Sequence, residues 1–321
     1  MKSRYLVLLL ATLFIAGCDH LKAHTEAPPP VTEPPADFKP DILGAAEQTS
    51  DLYAQAKIIG TITDGKLAEI SGLAPSRTMK GAWWVHNDSG NEAKLYALNA
   101  QGKKLGEFTV ADATNEDWED MAGYKGKDGK PMLYLADSGN NGGERTELTL
   151  YRVAEPNLAK ATSGVTAASE KFKFRYPAGK PDAEALFTDP ATGRPYLVTK
   201  TTKPPCAVYR FPWPLRADQT MTLEKVAGRG AEALSQLALV TGAAASPDGT
   251  RVVVRTYFTA LELQRAKGKS FESIFAAQPE RLKVPLERQG EAISYTADGK
   301  AIVTTSEKIP APLFQLVRTG K

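Results

Sequence analysis

Hydrophobic residues in this chain come mostly in short runs. They include "KIIGTI", "AWWVHN", "MLYLAD", "KFKFRY", "PYLVTK", "AVYRF", "RVVVRTY", "RLKVPL", "AIVTTS" and "LFQLV". β-Branched and aromatic side chains dominate them, and Gly, Pro, Asp and Asn separate them. Such runs fit a pleated, half-buried surface, so they read as strands bounded by turns. Only "GAEALSQLALV" carries a convincing helical spacing, with "SFESIFAAQ" as a short helical turn. The pattern predicts an all-β protein of many small strands.

The strands repeat as phrases. "WVHNDSGNEAKLYAL" begins at Trp84, and "LYLADSGNNGGERTELTLYRV" begins at Leu133. Five segments open alike: "EISGLAPS" from Glu69, "EDMAGYKG" from Glu119, "EALFTDPATG" from Glu184, "TGAAASPDG" from Thr241 and "EAISYTADG" from Glu291. A very apolar strand follows each opening, then a polar loop and a third strand. A fourth strand follows in the first four units: "KKLGEFTV", "KFKFRYP", "MTLEKVAG" and "ERLKVPL". A four-stranded unit recurring every ~40–50 residues is the arithmetic of a β-propeller blade. The count predicts five four-stranded blades, or six if "GAEALSQLALV" hides a strand. The fifth unit lacks a fourth strand, and "AKIIGTI" before the first unit is spare. That segment is expected to join the C-terminal blade as its outer strand and close the ring.

The N-terminus changes the picture of where such a domain sits. "MKSR" is a short basic region and "YLVLLLATLFIAG" an apolar one, ending in Ile15-Ala16-Gly17-Cys18. This resembles a bacterial lipoprotein signal over residues 1–17, with Cys18 lipidated as the mature N-terminus. Asp19 favours retention in the inner membrane, with the outer membrane as the alternative. Residues 18–50 are rich in proline and charge and read as a tether. Residues 51–321 would then be the propeller, facing the periplasm. Lys+Arg 40 against Asp+Glu 37 is nearly balanced, and no basic run mixes with aromatics, so nucleic acid is a poor partner. If Cys18 is acylated, Cys206 is left without a disulfide partner and reads as a small buried residue.

Equal position in each unit means equal height on the channel wall. The openings therefore place Glu69, Glu119, Glu184, Thr241 and Glu291 in one ring at one mouth of the channel. The ends of the second strands place Asp88, Asp137, Lys200, Arg255 and Glu307 around it, with Asn140 alongside. Close carboxylates repel one another unless a positive charge sits among them. That charge is either a cation such as calcium, which favours several oxygen ligands, or the protein's own Lys200 and Arg255. Ion pairs and solvated turns would equally account for charged residues at a channel mouth. The domain contains a single histidine, His86, which excludes a His-rich zinc site, and no Gly-rich phosphate loop precedes a helix. Two functions fit. One is a cell-envelope propeller that binds a polar ligand, metal or protein partner at an acidic mouth. The other is a metal-dependent hydrolase acting there on a phosphoester, lactone or glycoside.

The phrases "HNDSGNEAKLYALNAQGKKLG", "DWEDMA", "LYLADSGNNGGERTELTLYRVAEP", "DAEALFTDPATGRPYLVTK", "VTGAAASPDGTRVVVRTY" and "EAISYTADGKAIVTTSE" together resemble a group of bacterial secreted or lipid-anchored propeller proteins. That group is loosely similar to phytase-like, senescence-marker/gluconolactonase and NHL-type propellers. The resemblance spans about residues 57–318. It implies a propeller with an acidic, calcium-type channel mouth and no particular reaction. Lys200 and Arg255 on the same rim depart from a plain metal cup.

Overall fold

A computed structural model describes residues 50–320 except Lys127. The signal segment, Cys18, Asp19 and nearly all of the 18–50 tether lie outside the described residues. The described chain forms a five-bladed β-propeller. From the axis outward, the first blade contains Ile70–Pro75, Ala82–Asn87, Lys94–Asn99 and Lys104–Thr109. The second contains Trp118–Lys125, Pro131–Asp137, Leu148–Ala154 and Glu170–Arg175. The third contains Asp182–Thr188, Pro195–Lys200, Val208–Arg210 and Glu224–Lys225. The fourth contains Val240–Ala245, Arg251–Thr256, Ala260–Gln264 and Glu280–Leu282.

The fifth blade is shared by the two ends of the domain. Gly290–Tyr295, Ala301–Ser306 and Ala311–Val317 come from the C-terminal side, and Lys57–Ile62 pairs antiparallel with the last of these. The expected clasp is therefore present. It is reinforced one layer out, where Glu262, 1% exposed on its side chain, accepts from Tyr53 Oη at 2.5 Å, Tyr295 Oη at 2.6 Å and Arg318 at 2.8 Å. Tyr53 precedes the clasping strand and Arg318 follows the last one, so one carboxylate of the fourth blade ties both ends together.

Each blade buries both faces against its neighbours, which explains why the second strands are apolar throughout. "AWWVHN" is buried at every position. Trp84 packs with Trp118 and Tyr151 between the first and second blades. Trp83, on the opposite face, packs with Val303 and Leu313 of the fifth. The helix Arg229–Ser235 turns Ala231 and Leu234 into the layer between the third and fourth blades, beside Phe271 and Phe275 of the 3-10 turn Phe271–Ala276. It fills space that the short outer strands of these blades leave open and hides no sixth blade. One expected strand is divided. In "MTLEKVAG", Met221–Thr222 runs parallel to the outer strand of the second blade, and only Glu224–Lys225 belongs to the third.

Candidate functional site: an acidic channel mouth

Every inner strand carries one extra residue near its start, seen as a register shift against the second strand. The shifts fall at Ile70/Gly72, Trp118/Met121, Ala183/Ala185, Val240/Gly242 and Gly290/Ala292. Such bulges re-aim side chains at the rims of sheets. The equivalent bulge residues are Ser71, Glu119, Glu184, Thr241 and Glu291. Glu69 is thus not the partner of Glu119 but lies two residues earlier. Its equivalents are Asp117, Asp182, Leu239 and Gln289. Glu69 is exposed and accepts from Asn91 Nδ2 at 2.6 Å, at the outer lip of the mouth. Thr241 is buried, its hydroxyl spent on the Gly290 carbonyl at 2.8 Å.

The remaining bulge carboxylates do converge, and aspartates absent from the expected ring join them. One oxygen from each of Asp88, Asp117 and Glu119 lies within 4.8 Å of the other two. The same holds for Glu119, Asp182 and Glu184, so Glu119 is common to both triads. Glu291 and Glu307 complete the cluster on the fifth-blade side, where each repels its neighbours. The Asp-x-Glu spacing of "DWE" and "DAE" was visible in the sequence and marks both triads. Its meaning depended on adjacent blades closing on one axis, which brings these acids into shared triads.

The second-strand ends divide into those that enter the mouth and those that support it. Lys200 Nζ pairs with Glu184 Oε1 and donates to Tyr257 Oη at 3.0 Å. Burial opposes its charge, but Glu184 and Glu291 outweigh burial and hold it protonated above its usual range. Asp137 sits behind the triads, paired with Arg145 at 2.6 Å, and accepts the Asp117 backbone N–H at 3.1 Å. Asn140 is spent on the loop: it accepts the Arg145 N–H at 2.9 Å and donates to the carbonyls of Arg145 and Lys180. Its own N–H donates to Asp182 at 2.7 Å. Asp137 and Asn140 therefore position Asp117 and Asp182.

Arg255 is not a rim residue. It lies one position before the end of its strand and is fully buried. Its guanidinium is 2.9 Å from Glu287 and donates to the Ala292 and Thr256 carbonyls. Its register equivalent in the third blade is Val198, so the expected alignment fell two residues short of the rim. Tyr257, two residues on, supplies this rim position instead.

The two Asp-Ser-Gly-Asn loops flank the first triad. In the first copy Asp88 is itself a member of it. In the second, Ser138 donates to the Ala183 carbonyl at 2.6 Å. A methyl group on Gly139 would overlap Glu119 Oε1 and the Asp117 carboxylate. The first copy turns at Ser89–Gly90 and the second runs extended from Ser138 to Asn140, so each copy does different work at the mouth.

Below the mouth, Asp120 crosses the axis. Its Oδ2 accepts the N–H groups of Leu186 at 2.8 Å and Ala243 at 3.1 Å, and its Oδ1 that of Met121 at 2.7 Å. One side chain thereby joins the inner strands of the second, third and fourth blades. His86 is fully buried beside Trp118, and burial pushes it down to about 4, so it is a neutral packing residue. Cys206 is also structural: burial pushes its thiol up to about 12 and its Sγ donates to the Leu234 carbonyl at 3.0 Å.

The mouth raises the affinity of its acids for protons. Burial, then repulsion from Asp117 and Glu291, pushes Asp88 up to about 7. Burial and Asp182 push Asp117 up to about 6. Glu307 is pushed up to about 9 by burial, Glu291 and Asp88. Glu119 is raised well above the carboxylate range by burial and then by Glu184, Asp88, Asp182 and Asp117. Glu119 and Glu307 are 3% and 8% exposed. No hydrogen bond from any described residue reaches either carboxylate. Buried acids are ordinarily satisfied by donors or cations, and among the described side chains no donor reaches these two.

Fold and site together define a five-bladed propeller with an electronegative axial mouth. Neither a protein-family model nor a curated protein sequence matches the chain.

Proposed function

We propose that the acidic mouth binds a hard divalent cation of the calcium class and, through it, an oxygen-rich polar ligand or partner. Glu119 carries this reading: a carboxylate 3% exposed, without a donor, at the junction of two carboxylate triads. The donor set is all oxygen, with no thiol and no free imidazole, which suits calcium rather than zinc. Lys200 and Tyr257 at the edge of the triads supply donors to an anionic group of the ligand.

Calcium at a hundredfold excess over its Kd should raise the melting temperature by about 5–10 °C, since binding to the folded state alone stabilises it by ~2.7 kcal/mol. A chelator should reverse the shift. Glu119→Gln should leave the cation-free protein as stable as the parent, or more so, and should abolish the calcium response. Absence of a shift with any divalent metal would sink the reading.

A metal-dependent hydrolase is the second reading, favoured by Glu307, whose raised affinity for a proton suits a general acid. Calcium-dependent turnover of a phosphoester, lactone or glycoside that disappears in Glu307→Gln would support it. Binding without turnover would leave recognition as the function.

We further propose that the domain is held at the bacterial cell envelope through a lipid on Cys18, because small residues precede this cysteine at the end of an apolar segment. Cys18→Ser should remove palmitate labelling, and labelling that survives would refute the anchor.

A further inference from the structure

We infer that the mouth holds two divalent cations side by side, bridged by Glu119. One is bounded by Asp88 and Asp117, the other by Asp182 and Glu184. The inference rests on the cation reading above and adds its stoichiometry and layout.

Three observations lead to it. The first is geometric. The triads Asp88–Asp117–Glu119 and Glu119–Asp182–Glu184 each bring three ligand oxygens within 4.8 Å and overlap in one residue only. A carboxylate has two oxygens, and a carboxylate shared between two clusters is the usual bridge where two ions sit ~3.5–4 Å apart. The second is the state of the bridge itself. Glu119 is almost fully buried, aims into both triads and accepts from no described donor. Three of the four flanking acids, in contrast, have at least one: Ser89 N–H reaches Asp88 at 2.6 Å, Asn140 N–H reaches Asp182 at 2.7 Å, and Lys200 reaches Glu184. Of the two mouth glutamates without a donor, Glu119 is the one common to both triads.

The third is charge. Seven carboxylates face the mouth; where cations displace their protons, Lys200 offsets one and leaves a formal excess of six. One divalent cation lowers this to four, and two lower it to two. Excess charge in a low-dielectric cavity is costly, so the second ion gains from what the first leaves behind. Gly139 shapes the first position. Its backbone lies against Glu119 Oε1 and Asp117, where any Cβ would overlap them.

Calcium titration of the chelator-stripped full-length protein by isothermal calorimetry tests the inference. Two calcium ions per chain are expected. Asp88→Asn and Gly139→Ala should each leave one, and so should Asp182→Asn. Glu119→Gln should lose both or weaken both at least tenfold. Loading with manganese gives a second readout: two ions a few ångströms apart couple magnetically, and the six-line spectrum of isolated Mn2+ should give way to an exchange-coupled one. A single calcium per chain, weakened alike by Asp88→Asn and Asp182→Asn, would overturn the paired site and leave the cation reading standing. An uncoupled six-line spectrum at full loading would do the same. No calcium binding at all would overturn both. Thermal melts of each variant identify any that fails to fold, and the parent's stoichiometry decides the question without them.

Discussion

Asp120→Ala should be the most damaging single substitution in the domain, lowering stability by about 3–6 kcal/mol. Asp120 is fully buried on the axis, and its carboxylate accepts three backbone N–H groups from three blades. The inward edge of an inner propeller strand has no further strand to pair with. Its N–H groups must find another acceptor or remain unsatisfied. Each donor left bare in the interior costs ~1–3 kcal/mol, and the lost carboxylate also leaves a hole between strands that close on one another. Domains are stable by only ~5–15 kcal/mol, so the variant should melt at least about 8 °C lower or fail to fold at 37 °C. Asp120→Asn keeps the shape and one acceptor and should fall between the parent and Asp120→Ala. Exposed Asp218→Asn should change little. Chemical denaturation of the four proteins measures the series. An Asp120→Ala protein as stable as the Asp218→Asn control would show that the axial pin is dispensable.

In the absence of divalent cations the domain should lose stability as pH rises from 6.5 to 9, a direction opposite to that expected from ordinary paired acids. Asp88 and Glu307 have folded values of about 7 and about 9, against ~4 for unfolded carboxylates. A raised folded value means that the native state holds the proton more tightly. The stability so gained is complete below the unfolded value and is lost as pH climbs through the folded one. Asp117, at about 6, is largely spent before the window opens. His86, pushed down to about 4, acts in the reverse sense but only below about 6.5. Acids held low by local partners, such as Asp64, Glu107 and Asp298, act at lower pH still. Within the window the mouth dominates, and the loss should be about 3 kcal/mol, or roughly 5–10 °C in melting temperature. Saturating calcium should flatten or reverse the slope, because cations compete with protons for the same oxygens. A cation-free melting temperature that stays level or rises across this window would refute the electrostatic account of the mouth.

How far the site was legible in the sequence depends on the residue. Glu119, Glu184 and Glu291 were found from phase alone, because each occupies the bulge position of its own unit. Glu69 was misassigned because the shared proline offset aligned it with them, while the hydrogen-bond register places Ser71 there. Arg255 was misassigned by two positions, which leaves it below the rim and paired with Glu287. Asp117 and Asp182 sit two residues before the bulge, where a regular strand would also place them on the mouth side but farther out. Tyr257 follows its strand in a loop, and no periodicity reaches a loop.

The chain by itself determined the propeller and the clasp and narrowed the blades to five or six. Each of these follows from period-two hydrophobicity and from the count of repeated units, which are local properties of sequence and burial. It also determined that acids recur at one height, because a repeat maps equal positions to equal places. Only the tertiary structure decided which acids meet, which are neutralised and which remain without partners. The reason is that an extra residue in a strand shows itself only against the strand it pairs with, and a single residue exchanges one face for the other. The crowding of acids around Glu119 likewise arises from two blades closing on a shared axis, a relation between segments that no segment contains.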